Sequence, residues 1–347
     1  MSTQGYRAPW WLPGPHLQTI YPTLALRPAP PPYRRETWDS PDGDFVDVDW
    51  VDGPDGAPLV VLFHGLEGSS RSPYAAALMQ AVRARGWRGA VPHFRGCGGR
   101  PNRLPRAYHS GDADEIGWML RRAQAASSGP LHAAGVSLGG NALLRWLARE
   151  RRADDPALAA AAAICPPLDL VAAGAALRRG FNRLYTWQFL RTLKPKTLAK
   201  CREHPGLFDP GRIASARDFD TFDDAYTAPA HGFAGVQDYW RRASSKPVLD
   251  RIRIPTLVIS ARNDPFLPAR HLPPGDAVSP FVTLEQPASG GHVGFVSGPF
   301  PGHLRWLPER LLGFFAKAAP PEGMPRPWGE ADKASDRLSP PMPCRHG

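Results

Sequence analysis

Six short predicted strands alternate with segments of helical periodicity along most of this chain, and this alternation limits the available folds more than any other feature. The predicted strands cover residues 58–63, 87–94, 131–136, 158–165, 254–260 and 281–286. The first of them, residues 58–63, is a continuous apolar run, which is typical of a strand that is buried on both faces, as in parallel sheets. Helical spacing occurs over residues 72–85, 111–126, 138–150 and 304–318. The pattern predicts an α/β fold, with a mostly parallel central sheet flanked by helices.

The alternation divides the chain into segments. Residues 1–32 are rich in Pro and Trp and are predicted to form an irregular N-terminal arm. The core is predicted to occupy residues 33–167, to begin with a hairpin, and to resume at residues 251–318. Residues 168–250 show no strand pattern and are predicted to be a helical insertion that caps the ligand site, because ligands of open α/β sheets bind at the carboxyl ends of the strands. Residues 319–347 are rich in Pro and charge and are predicted to be disordered.

Composition narrows the class of protein. The chain has 347 residues and 42% hydrophobic residues, enough for a sizeable core. The start of the chain lacks a secretory signal and the four cysteines form no C-x-x-C pair, so we expect reduced thiols, a cytoplasmic location and neither metal nor cofactor. No apolar run is long enough to cross a bilayer. The net charge of +10 comes from scattered Arg and Lys without a nucleic-acid motif, so no nucleic-acid partner is expected.

The sequence GVSLG at residues 135–139 is a G-x-S-x-G motif between a predicted strand and a predicted helix. A nucleophilic serine on a sharp strand-to-helix turn requires this context, and the turn leaves no room for side chains at the two glycines. The alternative is the Gly-rich turn of a dinucleotide-binding fold, but the pattern G-x-G-x-x-G does not occur here. We predict that Ser137 is a nucleophile at a helix N-terminus, where the helix dipole favours a developing oxyanion.

A serine nucleophile needs a histidine base and a carboxylate that orients the base, and on such a turn they follow in the order Ser, acid, His. His292 lies in a Gly-rich loop after the last predicted strand and is the predicted base. Asp264 directly follows the preceding predicted strand and is the predicted acid. Asp169, which follows an earlier strand, is the alternative acid. Asp44 and Asp49 lie on the hairpin and are expected to be solvated.

An oxyanion hole needs two backbone N–H groups, one from the residue after the nucleophile and one from the loop after the third strand. These donors are predicted to be Leu138 and Leu66. Gly65 permits a tight backbone beside Leu66, and His64 is expected to hold this loop by a hydrogen bond. The remaining candidate histidines are expected to be structural or pocket residues: His93, His109 and His231.

Seven stretches together make the chain resemble an α/β-hydrolase, and more narrowly the YheT-like hydrolases, relatives of the ABHD-type esterases. The stretches are PHLQT at 15–19, FHGLEGS at 63–69, HFRGCG at 93–98, YHSG at 108–111, GVSLGGN at 135–141, ARNDP at 261–265 and GGHVG at 290–294. The resemblance spans about residues 10–317. It implies the α/β-hydrolase fold with Ser137, Asp264 and His292 as the charge-relay system, the same residues that the sequence pattern indicates.

A Ser-His-Asp system on this fold implies acyl transfer to serine followed by release to water. The expected substrates are small-molecule esters with short- to medium-chain or lipid-like acyl groups, and aromatic residues of the insertion suit an acyl chain: Phe181, Tyr185, Trp187 and Phe189. Its basic residues are expected to be solvated or to lie near an anionic headgroup, so a transient membrane contact is a further expectation: Arg178, Arg179, Arg183, Arg191, Lys194 and Lys196.

Three other classes of protein are weighed against a hydrolase of esters. An acyltransferase or thioesterase would use the same triad with another acceptor or another substrate. A non-catalytic binding protein would lack a complete triad. Haloalkane dehalogenases and epoxide hydrolases would have Asp in place of Ser137, so the serine argues against both.

Overall fold

The computed structural model describes residues 5–318, and within this range eight strands form one sheet. In chain order they are β1 (Arg34–Asp39), β2 (Phe45–Val51), β3 (Leu59–Phe63), β4 (Arg88–Pro92), β5 (Leu131–Val136), β6 (Leu158–Ile164), β7 (Thr256–Ile259) and β8 (Val282–Glu285). Their order across the sheet is β1-β2-β4-β3-β5-β6-β7-β8. Strands β3 to β8 are parallel to one another, whereas β1 and β2 pair antiparallel. The predicted mostly parallel sheet is confirmed.

The helices follow the strands as the alternation predicted. The described range contains α1 (Pro15–Ala25), α2 (Pro73–Ala84), α3 (Ala113–Ala125), α4 (Leu138–Ala148), α5 (Leu170–Leu177), α6 (Asn182–Glu203), α7 (Pro210–Ser215), α8 (Phe219–Phe222), α9 (Ala228–Ala230), α10 (Val236–Ala243) and α11 (Trp306–Phe315). A π-helical turn, Asp223–Thr227, joins α8 to α9. None of the helices within residues 5–318 has the length and apolar character needed to cross a bilayer.

The sheet is covered on both faces, and strand β3 shows how. Alternate side chains of a strand point to opposite faces. Leu59, Val61 and Phe63 join the cluster that contains the buried residues of α3 and α4, whereas Val60 and Leu62 join the cluster of α2 and α11. All five residues are fully buried. This double burial is why β3 is a continuous apolar run.

Between β6 and β7 the described chain forms only helices and turns, from α5 to the 3₁₀ segment Lys246–Arg251. A further cluster of buried residues lies between β6 and β7, with members on α6, α7, α8 and the π-helical turn. The described chain between β6 and β7 is therefore helical, and a cap insertion at residues 168–250 stays a prediction. The predicted disordered tail at residues 319–347 lies outside the described residues.

Helix α1 was not predicted, since residues 1–32 were expected to be irregular. Pro15 occupies the start of the helix, where its missing N–H costs nothing and its fixed φ suits the helix. The buried Gln18 donates to the Leu12 carbonyl and accepts a hydrogen bond from the Gly290 N–H, and Thr19 contacts the same loop. Tertiary contacts thus stabilise a helix in a proline-rich segment.

The prediction that Asp44 and Asp49 are solvated is wrong, because both carboxylates are buried. Arg35 donates to Asp49 at 2.7 Å, and His93 lies 3.0 Å from the same carboxylate. Arg95 lies 3.1 Å from Asp44. Burial alone would raise the pKa of Asp49, but its hydrogen bonds from Arg35 and His93 outweigh burial and hold that pKa well below its usual range. The contacts of His93 and Arg95, which follow β4, tie the β1–β2 hairpin to the parallel core.

Candidate active site

Ser137 lies on the turn between β5, which ends at Val136, and α4, which begins at Leu138. Its backbone has φ +51° and ψ −119°, a combination that non-glycine residues adopt only under strain. The Ser137 N–H donates to the Ile164 carbonyl at 2.8 Å, and its carbonyl accepts from Asn141 at 3.0 Å. The turn is thus held from β6 on one side and from α4 on the other. Its strain is the property expected of a nucleophile turn.

The glycines at positions 135 and 139 are required by close backbone contacts. A Cβ at Gly135 would lie 2.6 Å from the Gly139 carbonyl oxygen. A Cβ at Gly139 would lie 2.5 Å from the carbonyl oxygens of both Phe63 and His64. Any larger residue would therefore push the turn away from β3. These contacts give the G-x-S-x-G spacing its physical reason.

The structure brings Ser137, His292 and Asp264 together, although they are far apart in the chain. His292 Nε2 lies 2.9 Å from Ser137 Oγ, and His292 Nδ1 lies 2.9 Å from Asp264 Oδ2. A carboxylate only accepts, so Nδ1 carries the proton and Nε2 is free to accept from the serine hydroxyl. Asp264 is 4% exposed and His292 11% exposed at the side chain, so water has little access to this chain of hydrogen bonds.

Neighbouring groups fix the orientation of His292 and Asp264. The His292 backbone N–H donates to Thr19 Oγ1 of α1 at 2.9 Å. The Phe266 ring stacks on the imidazole, with ring centroids 4.0 Å apart, and the Phe266 N–H donates to Asp264 Oδ1 at 2.8 Å. Sequence reasoning assigned no role to Thr19 or Phe266. Thr19 lies in one of the stretches that carried the resemblance, which was the available signal.

Asp169, the alternative acid, is not near His292 Nδ1. Its side chain accepts from the Ala172 N–H at 3.0 Å and caps the N-terminus of α5. Its other close partner is His271, at 3.8 Å. Asp169 therefore has a structural explanation that needs no contact with Ser137.

The loop after β3, which carries Leu66, is held mainly by His64. His64 Nδ1 donates to the Gly65 carbonyl at 2.8 Å, and Nε2 accepts from the Phe94 N–H at 3.0 Å. Complete burial lowers the pKa of His64 to about 3, so this imidazole is neutral. The N–H groups of Leu66 and Leu138 donate to no other group within residues 5–318. Both predicted oxyanion donors therefore have free N–H groups, and both residues line the cavity beside Ser137.

Glu67 follows Leu66 in this loop and contacts Tyr108. Sequence reasoning assigned no role to either residue. The Tyr108 hydroxyl accepts from the Glu67 N–H at 2.8 Å and donates to Glu67 Oε1 at 3.0 Å. Lys196 of α6 lies 2.8 Å from Glu67 Oε2. Glu67 has φ +55°, so its side-chain contacts hold a backbone conformation that is otherwise costly. The residue next to Leu66 is thereby fixed from two sides.

A cavity of about 590 Å³ adjoins Ser137 and extends between the sheet edge and the inserted helices. Most of its wall is apolar, and the large side chains include Leu170, Leu177, Phe189, Leu193, Phe219, Phe222, Trp240 and Phe266. Of the four aromatic residues proposed for an acyl chain, Phe189 lines this cavity. Phe181 and Trp187 are instead about half exposed, and Tyr185 packs against Phe266. The side chains differ in exposure because successive positions of α6 point in different directions around the helix.

Asp223 is a buried carboxylate in the wall of the cavity. Thr227 donates to its Oδ1 at 2.6 Å and the Trp240 indole N–H to its Oδ2 at 2.9 Å. Burial raises the pKa of Asp223 to about 6. A Cβ at Gly174 would overlap the Trp240 ring, at 2.3 Å. Asp223 therefore holds the indole against α5 at the cavity wall.

His109, Asp112 and His231 bring potential metal ligands within 4.8 Å of one another. Arg106 donates to Asp112 at 2.6 Å, and the two ring nitrogens of His231 lie 2.8 and 3.3 Å from backbone carbonyls. Burial lowers the pKa of His109 to about 4. Asp112 and His231 thus each have a hydrogen-bond partner within the protein. His109 lines the cavity, as the prediction of a pocket residue allowed.

Cys165 lies within the same distance of Asp264 and His292. Burial, reinforced by the charge of Asp264, raises the pKa of this thiol well above its usual range, so Cys165 is protonated. The Val293 N–H points to its sulfur at 3.4 Å. Cys165 thus packs beneath the histidine loop as a neutral side chain. The nearby carboxylate and imidazole hydrogen-bond each other.

The fold and the Ser-His-Asp geometry at the carboxyl edge of the sheet define an α/β-hydrolase. The family model described as alpha/beta hydrolase fold matches residues 58–299, so the chain belongs to this family. It is 41% identical over 303 residues to YheT, a candidate esterase of Escherichia coli (strain K12), a match that covers 85% of this chain and 88% of YheT. The expected resemblance to YheT-like hydrolases is confirmed.

Two further comparisons agree with this assignment. Phospholipase ABHD3 of Mus musculus is 29% identical over 329 residues, covering 87% of this chain and 79% of that protein. The solved structure of the Pyrococcus furiosus esterase PF2001 superposes with a TM-score of 0.53 at 15% identity, covering 83% of this chain and 91% of that one. The second similarity shows a common fold. Together with the family match, these findings make the protein a hydrolase of the α/β fold.

Proposed function

We propose that the protein is a serine esterase that cleaves carboxylic esters through an acyl-enzyme on Ser137. The observation that carries this proposal is the hydrogen-bonded chain from Ser137 Oγ through His292 to Asp264, with both separations at 2.9 Å. A serine hydroxyl becomes an effective nucleophile when an oriented imidazole can take its proton. The candidate-esterase relative and the phospholipase relative support the choice of an ester bond.

The reaction proceeds in two halves. Ser137 Oγ attacks the ester carbonyl carbon while His292 Nε2 takes the hydroxyl proton, and the charge of Asp264 stabilises the imidazolium. The carbonyl oxygen becomes an oxyanion that accepts from the N–H groups of Leu66 and Leu138. The tetrahedral intermediate then collapses, the bond to the alcohol oxygen breaks, and His292 protonates the leaving alcohol.

Water completes the cycle. His292 takes a proton from a water molecule, whose oxygen attacks the acyl carbon of the ester on Ser137. A second tetrahedral intermediate uses the same two N–H donors. Its collapse breaks the bond to Ser137 Oγ, returns a proton to the serine and releases the carboxylic acid.

The cavity supports a short- to medium-chain or lipid-like acyl group as the substrate class. Its volume of about 590 Å³ is in the range of small-molecule sites, and its apolar wall favours hydrocarbon over charge. The inserted helices supply much of this wall. We therefore propose that residues 168–250 act as a cap that selects the acyl group.

A fluorophosphonate probe tests the nucleophile directly. The probe should label the wild-type protein at Ser137, and Ser137→Ala should lose both labelling and hydrolysis of a series of p-nitrophenyl and glycerol esters. Ser128→Ala, a change at an exposed serine, is the matched control and should retain both. Labelling that persists in Ser137→Ala would overturn the proposal. Transfer of the acyl group to an added alcohol or thiol in preference to water would identify an acyltransferase.

A further inference from the structure

We propose that one face of the protein binds a membrane surface that contains anionic lipids. The docking face consists of Trp10, helix α1, residues 181–191 at the start of α6 and the 298–301 loop. The proposal concerns binding and does not depend on the reaction at Ser137. Only its consequence, the delivery of a lipid ester to the cavity, rests on the proposed function.

The docking face collects most of the exposed large apolar side chains. Within residues 5–318, ten large hydrophobic side chains are exposed. Seven of these ten belong to the docking face, with exposures from 49% to 92%: Trp10, Leu17, Leu24, Phe181, Leu184, Trp187 and Phe300. Exposed apolar side chains are ordinary when scattered, but their concentration on one face indicates an interaction surface.

Contacts between the elements make the face continuous. The His16 ring of α1 lies 4.4 Å from the ring of Phe181, directly before α6, and His16 Nδ1 lies 3.2 Å from the Tyr185 hydroxyl. On the other side of α1, the Tyr21 ring lies 5.3 Å from the Trp11 ring, which in turn lies 5.5 Å from that of Phe300. Helix α1 thus bridges α6 and the 298–301 loop.

The helical phase of α1 places its exposed leucines between these two contacts. His16 faces α6, and the Tyr21 hydroxyl donates to the Pro301 carbonyl at 2.9 Å. Five helical positions separate these two residues, which puts them roughly 140° apart around the helix. Leu17 and Leu24 fall within this angle and are 54% and 66% exposed. The leucines therefore form an outward ridge between the aromatic residues of the two flanking elements.

The charge of the docking face indicates an anionic partner. The three chain segments that build the face, 5–35, 170–202 and 286–308, contain no Asp or Glu at all. Arg179, Arg183 and Arg191 are exposed on or beside α6, and none has a carboxylate within 4 Å in the described range. The Arg191 guanidinium lies 5.3 Å above the Trp187 ring. Apolar and aromatic side chains flanked by arginine are typical of proteins that lie on an anionic lipid interface.

A second copy of the chain fits this face less well than a lipid surface. A two-fold dimer would bring the same patch of each copy together. The arginines of both copies would then face one another without a carboxylate in these segments to pair with them. Lipid headgroups supply the negative charge that the face lacks.

The docking face also borders the candidate active site. Thr19 of α1 accepts from the His292 N–H at 2.9 Å. An aromatic series connects α6 with the same histidine, since the Tyr185 ring lies 4.9 Å from Phe266 and Phe266 stacks on His292. A membrane bound at this face would therefore lie close to the loop that carries the predicted base.

Co-sedimentation with vesicles tests the binding. The full chain is mixed with vesicles of phosphatidylcholine alone or with roughly one lipid in three replaced by phosphatidylserine, at low and at physiological salt. Ser137→Ala serves as the background, so that hydrolysis cannot change the vesicles. Arg179→Glu/Arg183→Glu removes charge from the face, and Leu184→Ser/Trp187→Ser removes apolar surface.

Two control variants make the same changes elsewhere. Arg151→Glu/Arg251→Glu alters exposed arginines near the amino-terminal ends of β6 and β7, and Phe281→Ser alters an exposed phenylalanine directly before β8. These positions lie at the opposite edge of the sheet from His292. The controls should bind phosphatidylserine vesicles as the parent does.

The expected result is strong binding to the anionic vesicles, weak binding to phosphatidylcholine, and weaker binding to the anionic vesicles at physiological than at low salt. The double arginine variant should bind at least about 30-fold more weakly, because each basic residue near an anionic surface contributes roughly five-fold. Equal binding to both lipids, or face variants that bind like the controls, would overturn the proposal. The proposal would also be overturned if the wild type formed a dimer that did not bind vesicles, and if the Leu184→Ser/Trp187→Ser variant were a monomer.

Discussion

Lys196 Nζ on helix α6 lies 2.8 Å from Glu67 Oε2, so an ion pair joins this helix to the loop that carries Leu66. Lys196 is 48% exposed, whereas the Glu67 side chain is 10% exposed. The buried partner of this pair also exchanges two hydrogen bonds with Tyr108. Tyr108, more than Lys196, therefore determines the conformation next to the predicted oxyanion donor.

We expect Tyr108→Phe to lower kcat for a p-nitrophenyl ester about tenfold with little change in KM. The variant leaves the Glu67 N–H without an acceptor and loosens the backbone beside Leu66. The effect should be smaller than the 10²- to 10³-fold loss typical of removing an oxyanion donor, because Leu66 itself remains. Lys196→Met should change kcat less than about threefold, since a half-exposed ion pair contributes little.

Steady-state kinetics with Tyr33→Phe as the control measure this effect. The Tyr33 hydroxyl is likewise part-buried and hydrogen-bonded, but it donates to the Ser70 carbonyl and not to Glu67. A large loss of kcat in Lys196→Met together with wild-type kcat in Tyr108→Phe would show that the ion pair with α6, and not Tyr108, fixes the conformation of the loop.

Asp264→Asn should preserve the fold and lower kcat by about three to four orders of magnitude. An amide at this position favours the wrong tautomer of His292 and no longer stabilises the imidazolium. Asp169→Asn should keep most of the activity, because Asp169 caps α5 and lies away from His292 Nδ1. Kinetics and thermal unfolding of both variants check this prediction. If Asp169→Asn were the more damaging change, the assignment of the acid would be wrong.

The order of short strands and the residues that follow them made much of the site predictable. Ser137, Asp264 and His292 each follow a parallel strand or its loop, and parallel strands bring such loops to one edge of the sheet. Local sequence was sufficient here because the fold itself supplies the proximity. The same reasoning located Leu66 in the loop after β3.

Other contacts between segments that are far apart in the chain could not be predicted. The sequence near Glu67 does not indicate that Lys196 lies close to it. The sequence around Asp44 is typical of a turn and does not indicate the ion pair of Asp44 with Arg95. Helix α1 was missed because proline-rich composition outweighed one helix signal, Pro15 directly after a glycine. In each case the missing information is which distant surfaces pack together.

The titration of Asp223 should appear in the pH dependence of stability. Burial raises the pKa of this carboxyl from 3.8 to about 6, so the folded state binds the proton more tightly than the unfolded chain. The contribution to stability is complete below about pH 4 and is lost as the pH rises through about 6. Asp223→Asn cannot ionise, and its amide can still accept from Trp240 and donate to Thr227.

The free energy of unfolding of Asp223→Asn, relative to wild type, should therefore increase between about pH 4 and pH 7.5. The upper limit of this increase is ~3 kcal/mol, from the difference between the ordinary pKa of 3.8 and the raised value of about 6. Urea unfolding of both proteins at the two pH values measures it. A difference that stays constant, or that decreases with pH, would show that Asp223 does not titrate in this way.

Phe189 is the aromatic residue of α6 that should control the acyl chain length. It lines the cavity, whereas Trp187, two positions earlier, is 55% exposed on the docking face. Each buried methylene is worth ~0.8 kcal/mol, so kcat/KM of the wild type should rise about fourfold for each added CH₂ until the cavity is full. Phe189→Ala enlarges the cavity and should move the optimum to longer chains, while an acetate ester should be much less affected.

Trp187→Ala is the matched control and should keep the wild-type profile with soluble p-nitrophenyl esters. If Phe189→Ala keeps the wild-type optimum and slope, the cap does not select the acyl chain, and the selectivity must come from α1 or from the loops of the core.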